Sequence, residues 1–131
     1  MSIVAFTIDV QDKYTHISIL EEKFTEKLSS ELKAEIAKIN TKGIKNIIFD
    51  VYSCIYCDSS GISVILVANG ICKENKGCLV ICSPQPAVSK LIDTSQLSSV
   101  LNITPSFNEA VDFIFMDELE KVLSEEEEHL S

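Results

Sequence analysis

The sequence of 131 residues contains no arginine and no tryptophan, and it has only four glycines and three prolines. Without arginine the chain lacks the guanidinium group that binds phosphates and guanine edges in a bidentate manner, and its eleven lysines form no basic stripe. Twenty acidic residues bring the net charge to −9. This balance argues against nucleic-acid binding and against binding to anionic membrane surfaces.

Long hydrophobic runs are also missing. The apolar stretches are far shorter than the roughly 20 residues that a membrane-spanning helix needs, and the N-terminus lacks the basic start and apolar run of a secretory signal. Five cysteines without an export signal are expected to be reduced thiols. We therefore expect a cytoplasmic protein with one domain, because domains typically span about 100–200 residues.

The N-terminal third of the sequence has two kinds of hydrophobic pattern. Residues 3–10 and 14–20 are rich in β-branched residues that partly alternate, which predicts a hairpin with a turn at residues 11–13. A helical period follows and predicts an amphipathic helix over about 25–41 that ends near Gly43. The apolar residues of that period are Leu28, Leu32, Ile36 and Ile39.

Further along the chain, short apolar runs alternate with helical patterns. The runs predict strands at 44–51, 78–82 and 100–103. The helical patterns predict a largely buried helix over 62–72 that ends at Gly77, a helix that begins at Pro86, and a last helix capped by Ser106. We expect a small single-domain α/β fold, with a mixed, mostly parallel sheet of about five strands, about four helices and an N-terminal antiparallel hairpin.

The C-terminal residues differ from the rest in charge. Residues 117–131 contain seven acids and one lysine, so they carry −6 of the net charge of −9. We divide the chain into a folded domain over 1–116 and an acidic tail over 117–131 that is partly helical or disordered. Alternatively, Leu119, Val122 and Leu123 with their flanking acids form an amphipathic segment that binds a partner or a second copy of the chain.

The segment Asp58-Ser59-Ser60-Gly61 lies between a predicted buried strand and an apolar helix. Asp58 or Ser59 stands where a helix N-cap belongs, and open α/β sheets place their sites at the carboxyl ends of strands. A phosphate on Ser60 would be tolerated beside free backbone N–H groups at the positive end of the helix dipole. Two interpretations remain open: simple helix capping, or a serine that is modified or binds a ligand.

Several segments resemble one known family in the same order. They are Asn46-Ile-Ile-Phe-Asp50, seven intervening residues, Asp58-Ser-Ser-Gly61, Lys76-Gly77-Cys-Leu-Val and Pro86-Ala-Val-Ser-Lys-Leu-Ile-Asp93. Together they resemble the STAS domain, which bacterial anti-sigma factor antagonists share with the cytoplasmic tails of sulfate transporters. The resemblance covers about residues 3–116 and is most specific over 44–103. No transmembrane segment precedes it, so the free-standing antagonists are the closer resemblance.

The resemblance implies a switch controlled by phosphorylation. The unphosphorylated protein would bind an anti-sigma factor of the serine-kinase type and free a sigma factor, and a serine phosphatase would reset the cycle. Ser60 would be the phosphoacceptor, with Ser59, the neighbouring cap, as the alternative. Asp58 would order the loop, and Gly61 would let a partner or a phosphate approach. The expected partner-binding residues are Thr25, Asp58, Ser59, Ser60, Gly61, Ile62 and Pro86. The resemblance leaves open whether the protein forms a homodimer.

One loop departs from the family pattern. Members often have Gly and then Leu-Asp before the first helix, where this chain has Glu22 and Phe24-Thr25. Because that loop contributes to the partner surface, the departure concerns the identity of the partner. A STAS module that serves as a scaffold, or that binds a small anion, lipid or nucleotide without any sigma factor, is the alternative function.

Two interpretations that depend on cysteine, a redox dithiol and a zinc site, compete with the STAS interpretation. Cys54 and Cys57 have the spacing of a redox dithiol, but both precede the predicted N-cap, so the helix would not stabilise their thiolates. Small core residues are therefore the favoured interpretation. A zinc site would need four ligands, and the other candidates stand at no recognisable second spacing. These candidates are Cys72, Cys78, Cys82 and His16.

Catalytic patterns are weak. The sequence has no Gly-x-Ser-x-Gly elbow and no glycine-rich phosphate loop. Its only histidines are His16, in a predicted strand, and His129, in the tail. We expect a non-enzymatic protein that is the substrate of an enzyme and needs neither a metal nor a cofactor.

Overall fold

The computed structural model describes residues 4–130, with side chains through residue 127. Ile3, which begins the expected first strand, and Ser131, which ends the tail, lie outside the described residues. The strands are β1 (Phe6–Val10), β2 (Thr15–Ile19), β3 (Lys23–Phe24), β4 (Ile47–Asp50), β5 (Tyr56–Cys57), β6 (Leu79–Cys82) and β7 (Asn102–Thr104). The helices are α1 (Glu26–Asn40), α2 (Ser59–Glu74), α3 (Pro86–Thr94) and α4 (Phe107–Leu130).

Five strands form the main sheet in the order β1-β2-β4-β6-β7. β1 pairs with β2 in antiparallel register, with Phe6 opposite Ile19, and the remaining neighbours are parallel. Parallel neighbours need a crossover connection such as a helix, and α1, α2 and α3 lie in the connections β2–β4, β4–β6 and β6–β7. The predicted mixed α/β fold with an N-terminal hairpin is confirmed.

The helices cover the two faces of the sheet unequally. α1, α2 and α3 pack with one side of the strands around a large core that includes Phe24 and Phe49, whose rings stack with centroids 6.0 Å apart. α4 covers the other face through Ala110 and Ile114, which contact Ile48 of β4. Successive side chains of a strand point to opposite faces, so each central strand is buried on both sides.

Two predicted elements differ in detail from the structure. The helix predicted over 62–72 was expected to be buried on most sides, but Leu66 and Val67 of α2 are 40% and 42% exposed. These two residues lie on the side that no other element covers, which an apolar sequence cannot indicate. The strand predicted at 100–103 is β7, and it begins only at Asn102 because residues 98–100 form a turn after α3.

α4 continues without interruption through the boundary predicted at residue 117. Ser106 caps its start, because the Ser106 hydroxyl accepts from Glu109 N at 3.2 Å and donates to the Glu109 carboxylate at 3.1 Å. The predicted cap at Ser106 is therefore present. Residues 117–130 are helical, and the separation of a tail domain at 117 stays a prediction. No helix of the described residues has the length and hydrophobicity needed to cross a bilayer.

Candidate functional site

A small second sheet brings two helix N-termini together. β3 and β5 pair in parallel, with Lys23 opposite Tyr56 and Phe24 opposite Cys57, and Asp58 N donates to Phe24 O at 3.3 Å. The chain leaves each strand directly into a helix, α1 after β3 and α2 after β5. The loop before α1 and the Asp58-Ser59-Ser60 turn are therefore neighbours, although more than 30 residues separate them in the sequence.

Asp58 caps α2. Its extended backbone (φ −104°, ψ −173°) lets the carboxylate accept a hydrogen bond from Ser60 N at 2.9 Å, and the Ser60 hydroxyl donates to the same carboxylate oxygen. Hydrogen bonding by the Ser60 hydroxyl, followed by the backbone N–H groups of Ser60 and Gly61, lowers the pKa of Asp58. The resemblance implied Ser59 as the neighbouring cap; the cap is Asp58, and Ser59 is the first helical residue.

The two serines of the turn differ in their surroundings. Ser59 is exposed, whereas Ser60 is only partly exposed. The Ser60 hydroxyl donates to Asp58, and the buried Ser29 hydroxyl of α1 lies 3.2 Å from it and 2.9 Å from Thr25 O. Because Ser29 has a single hydroxyl proton, it donates to one of these oxygens at a time. Ser60 therefore belongs to a network that connects the starts of α1 and α2.

Two residues of α1 that the sequence reasoning did not single out help to form this site. Ser29 is 3% exposed and contacts Ser60, and the Lys33 ammonium donates to Ser63 Oγ at 2.9 Å. Both line a shallow depression that also includes Glu26 and the turn. The sequence does contain a signal for Ser29. This residue lies three residues before Leu32 on the apolar face of α1, and a polar residue on a buried face is expected to have a hydrogen-bond partner.

Gly61 and Ile62 are both buried, and their expected role in partner binding stays a prediction. A Cβ built on Gly61 would lie 2.3 Å from Cys57 Sγ and 3.1 Å from Phe24 Cγ. The missing side chain therefore serves packing inside the protein, between the two small strands and α2. Both residues pack beneath the turn, so neither presents an exposed side chain to a partner in this conformation.

Thr25 and Pro86 lie at the starts of α1 and α3. Thr25 precedes α1 without a side-chain cap hydrogen bond, and Pro86 is the exposed first residue of α3. Gln85 connects α3 to the loop after β4, because its amide donates to the carbonyl of Tyr52 at 2.7 Å. The starts of α1, α2 and α3 therefore lie along one edge of the protein.

Exposed apolar side chains accompany the serine turn. Tyr52, Ile55 and Tyr56 are 67%, 54% and 49% exposed, and all three lie in the seven residues before Asp58. Sequence reasoning did not identify these residues, because a run of tyrosine, isoleucine and cysteine after a strand predicts further burial. Exposed apolar groups next to a polar loop are typical of protein-binding surfaces.

The thiols of Cys54 and Cys57 are buried, at 0% and 8% exposure. Burial raises the pKa of both, that of Cys57 to about 12 with the Cys54 thiol and the Asp58 carboxylate adding to the effect. A redox dithiol requires the opposite, an accessible thiol of lowered pKa. The structure supports the interpretation of both residues as small core side chains.

We expect both thiols to resist alkylation. Folded protein treated with iodoacetamide at pH 7.5 should keep Cys54 and Cys57 unmodified over a period in which urea-unfolded protein reacts at all five cysteines, because the thiolate is the nucleophile. Peptide mass spectrometry provides the measurement. Rapid modification of Cys57 in the folded protein would contradict this assignment and would support a redox dithiol.

His16 lies in a polar cluster that differs from a catalytic triad. Its Nε2 atom is 3.3 Å from Asp50 Oδ2 and 3.1 Å from Ser18 Oγ, and its ring packs on Phe107 with centroids 4.4 Å apart. The hydrogen bond with His16 lowers the pKa of Asp50. A serine–histidine–acid relay needs the serine and the acid on opposite ring nitrogens, and here both contact the same one.

Within the described residues, no three His, Cys, Asp or Glu side chains are grouped as metal ligands.

The cap at Asp58 gives a direct test of the turn. Asp58→Ala should lower the free energy of unfolding by about 1 kcal/mol, since the Ser60 N–H loses its acceptor, while Asp58→Asn keeps an acceptor and should cost much less. Urea unfolding monitored by circular dichroism measures both. Because the pKa of Asp58 is lowered in the folded state, its ionic contribution is present above the ordinary value of 3.8 and is lost as the pH falls through the folded value. Equal stability of Asp58→Ala and the parent at pH 7 would contradict the assignment.

Comparison with known proteins identifies the family. The model of the STAS domain family matches residues 17–110, and the chain belongs to that family. The resemblance noted from the sequence is thereby confirmed. The matched region includes the β3–β5 sheet, the serine turn and the starts of the three helices that surround it.

Solved structures with the same fold include antagonists and a transporter. The chain is similar to the anti-sigma factor antagonist SpoIIAA in its unphosphorylated form, with 21% identity, a TM-score of 0.73 and coverage of 84% of this chain and 96% of that one. It is also similar to the Bacillus cell fate determinant SpoIIAA in the phosphorylated form, with 21% identity, a TM-score of 0.67 and coverage of 84% and 99%. Murine Solute Carrier 26 family member A9, an anion transporter, matches at 17% identity with a TM-score of 0.62, over 79% of this chain and 18% of that one. At these identities the likeness concerns the fold.

Proposed function

We propose that this STAS protein is an anti-sigma factor antagonist that binds an anti-sigma factor of the serine-kinase type and loses it when the Asp58-Ser59-Ser60 turn is phosphorylated. It acts in the cytoplasm, catalyses no reaction itself and is reset by a serine phosphatase. The observation that carries the proposal is the turn itself, an exposed serine at the first residue of a capped helix, next to exposed apolar side chains. The structural likeness to SpoIIAA, solved in both phosphorylation states, supports it.

The family resemblance implies Ser60 as the phosphoacceptor and Ser59 as its alternative, and the exposure of the two hydroxyls favours Ser59. A kinase needs the acceptor hydroxyl free and accessible, and Ser59 is the exposed one. Ser60 is partly buried, and its hydroxyl would have to leave both Asp58 and Ser29 before it could react. We therefore assign the phosphate to Ser59 first, with Ser60 as the alternative that the experiment below distinguishes.

The proposed switch is electrostatic and steric. A phosphate on this turn adds a charge of about −1.5 to −2 within a surface that already holds the carboxylates of Asp58 and Glu26. Lys33, already bonded to Ser63, and the first-turn N–H groups compensate it only in part. An anti-sigma factor seated on Tyr52, Ile55 and the turn would have to desolvate that dianion. We expect affinity to fall at least 100-fold.

The test uses the full chain and each serine-kinase-type anti-sigma factor encoded in the same genome. Binding is measured by calorimetry with and without ATP, and the product is mapped by peptide mass spectrometry. The parent should bind without ATP, and with ATP it should acquire one phosphate and dissociate. Ser59→Ala should stay bound and unmodified with ATP, while Ser60→Ala should still be phosphorylated and dissociate.

The other outcomes are equally informative. If Ser60→Ala blocks modification and Ser59→Ala does not, the acceptor is Ser60 and the switch itself stands. If the parent binds none of the kinases, or binds one and keeps it after phosphorylation, the proposal fails. A scaffold or a ligand-binding module would then be the better function for this STAS domain. Ser124→Ala, an exposed serine on α4, is the control that should behave as the parent.

A further inference from the structure

The outer surface of α4 carries a continuous apolar stripe. Five residues form this α4 stripe, and they recur at the spacing of neighbours on one helix face. They are Phe115, Met116, Leu119, Val122 and Leu123. Each is between 48% and 56% exposed. The buried residues of the same helix, Ala110 and Ile114, point to the sheet at 0% exposure, so the stripe lies on the opposite side.

The half of α4 that bears the stripe is attached to the protein. Glu118 receives hydrogen bonds from Lys45 and Asn46, each at 3.0 Å, and these partners lie at the start of β4. One turn later, Lys121 pairs with Asp117 at 2.8 Å and donates to the carbonyl of Lys76 at 2.8 Å. Because these contacts fix the rotation of the helix, the stripe is held toward solvent.

Exposed acidic side chains flank the α4 stripe. They are Asp112, Glu120, Glu125, Glu126 and Glu127, and all five are exposed. The only lysine of α4, Lys121, is on the side that contacts the rest of the protein. Lys73 and Lys76 line a depression between α2 and α4 that also includes Glu120, Val122 and Glu125, so two lysines lie along one edge of the stripe. A partner that covers the stripe therefore meets apolar groups within a border in which the five exposed acids outnumber these lysines.

We propose that the α4 stripe binds a basic amphipathic helix of another protein, with apolar residues at i, i+3 or i+4, and i+7 and with lysine or arginine on both sides. The stripe extends over eight residue steps, about 12 Å, which matches about two turns of such a helix. Positive flanks on the partner would pair with the acidic border, and charge complementarity of this kind raises association rates and selects partners.

The charges disfavour the two other occupants. A second copy of this chain packed stripe to stripe would bring its five acids against the same five acids, and like charges across an interface cost several kcal/mol. An anionic bilayer would be repelled by the same carboxylates. The stripe also lies on the face of the sheet opposite α1 and α2, so binding there is independent of the serine turn and of the proposed anti-sigma switch.

The test uses designed peptides as probes against the full chain. One peptide has leucine at i, i+3, i+4 and i+7 with lysine flanks; the second replaces the lysines by glutamate, and the third replaces the leucines by serine. Fluorescence anisotropy should detect binding of the first peptide only. Its affinity should fall at least tenfold for Leu119→Ser/Leu123→Ser and several-fold for Glu120→Gln/Glu126→Gln.

Matched variants control for general effects of hydrophobicity and charge. Leu66→Ser/Val67→Ser removes two similarly exposed apolar residues from α2, and Glu22→Gln/Glu31→Gln removes two exposed acids elsewhere. Neither should change the affinity of the peptide more than twofold. Circular dichroism of every variant checks that α4 remains helical, so that a loss of binding reports the stripe itself.

Five results would overturn the proposal, and the first four concern the peptides and the oligomeric state. They are no binding of the leucine–lysine peptide, equal binding by the Leu119→Ser/Leu123→Ser variant, equal binding of the glutamate-flanked peptide, and dimerisation of the parent that the same leucine variant abolishes in sedimentation. Such dimerisation would make a second copy the occupant. The fifth is binding of the parent to vesicles of phosphatidylcholine and phosphatidylglycerol that the leucine variant loses, which would make a membrane the occupant.

Discussion

Replacing Gly77 by alanine should destabilise the protein by about 3 kcal/mol or more, the upper range for overpacking. A Cβ on Gly77 would lie 1.6 Å from the carbonyl oxygen of Lys45, which is a covalent distance, and 2.7 Å from Asn46 Oδ1. The first contact is with backbone, so no side-chain rotation relieves it. Either the start of β4 or the start of β6 must move.

That movement would disturb a second set of contacts. The side chain of Asn46 is 4% exposed and accepts from Cys78 N at 2.9 Å. Its amide lies 3.0 Å from both Lys13 O and the Glu118 carboxylate, and thereby connects the hairpin turn, β6 and α4. A buried polar group that loses its partners costs about 1–3 kcal/mol in addition. We therefore expect Gly77→Ala to loosen α4 as well.

Gly70→Ala is the matched control, because it makes the same chemical change in the same region. Gly70 is exposed within α2, and a Cβ there would have nothing within 4 Å. Alanine is favoured over glycine in a helix interior, so this variant should gain about 0.5–1 kcal/mol. Urea unfolding of both variants gives the comparison. A Gly77→Ala protein as stable as the parent would contradict the close approach of Lys45.

Gly61→Ala should also destabilise the protein, and the loss should depend on Cys57. The added Cβ would lie 2.3 Å from the Cys57 sulfur, while the Phe24 ring at 3.1 Å can yield by a few tenths of an ångström. We expect a cost of about 1–2 kcal/mol, because overpacking is partly offset by the better helix propensity of alanine. The turn with Ser59 and Ser60 would shift with the start of α2.

A double-mutant cycle isolates that contact. Cys57→Ala removes the sulfur and creates a small cavity, so alone it should cost about 1 kcal/mol. In the Cys57→Ala background, Gly61→Ala should cost less than half of what it costs in the parent, a coupling typical of residues in contact. Additive losses would mean that the sulfur is not the obstacle. Gly70→Ala in the same background should show no coupling.

The order of the elements was predictable from the sequence because it depends on local patterns. Alternating β-branched residues in the hairpin, the helical period of α1, and Pro86 and Ser106 at helix starts all act within a few residues of one another. The serine turn was found for the same reason, since a buried strand, an N-cap residue and an apolar helix follow in order. The two-residue strands β3 and β5 carry no such pattern.

The end of α2 illustrates the limit of local reasoning. Gly77 was expected to end that helix, and glycine is the usual residue in the left-handed conformation just after a helix. In the structure Lys76 adopts that conformation, with φ of +62°, and Gly77 follows it. The reason for glycine at 77 is the approach of Lys45, which is distant in sequence and becomes a neighbour only through the pairing of β4 with β6.

The sequence by itself determined the fold class, the STAS resemblance and the position of the Asp58-Ser59-Ser60 turn, because periodicity, capping and turn preferences are short-range properties. Only the tertiary structure decided which groups surround that turn. It placed Ser29 beside Ser60, buried Gly61 and Ile62, exposed Tyr52 and its neighbours, and turned the α4 stripe toward solvent. Those outcomes depend on contacts between segments far apart in the chain, and the burial of a side chain is set by what packs against it.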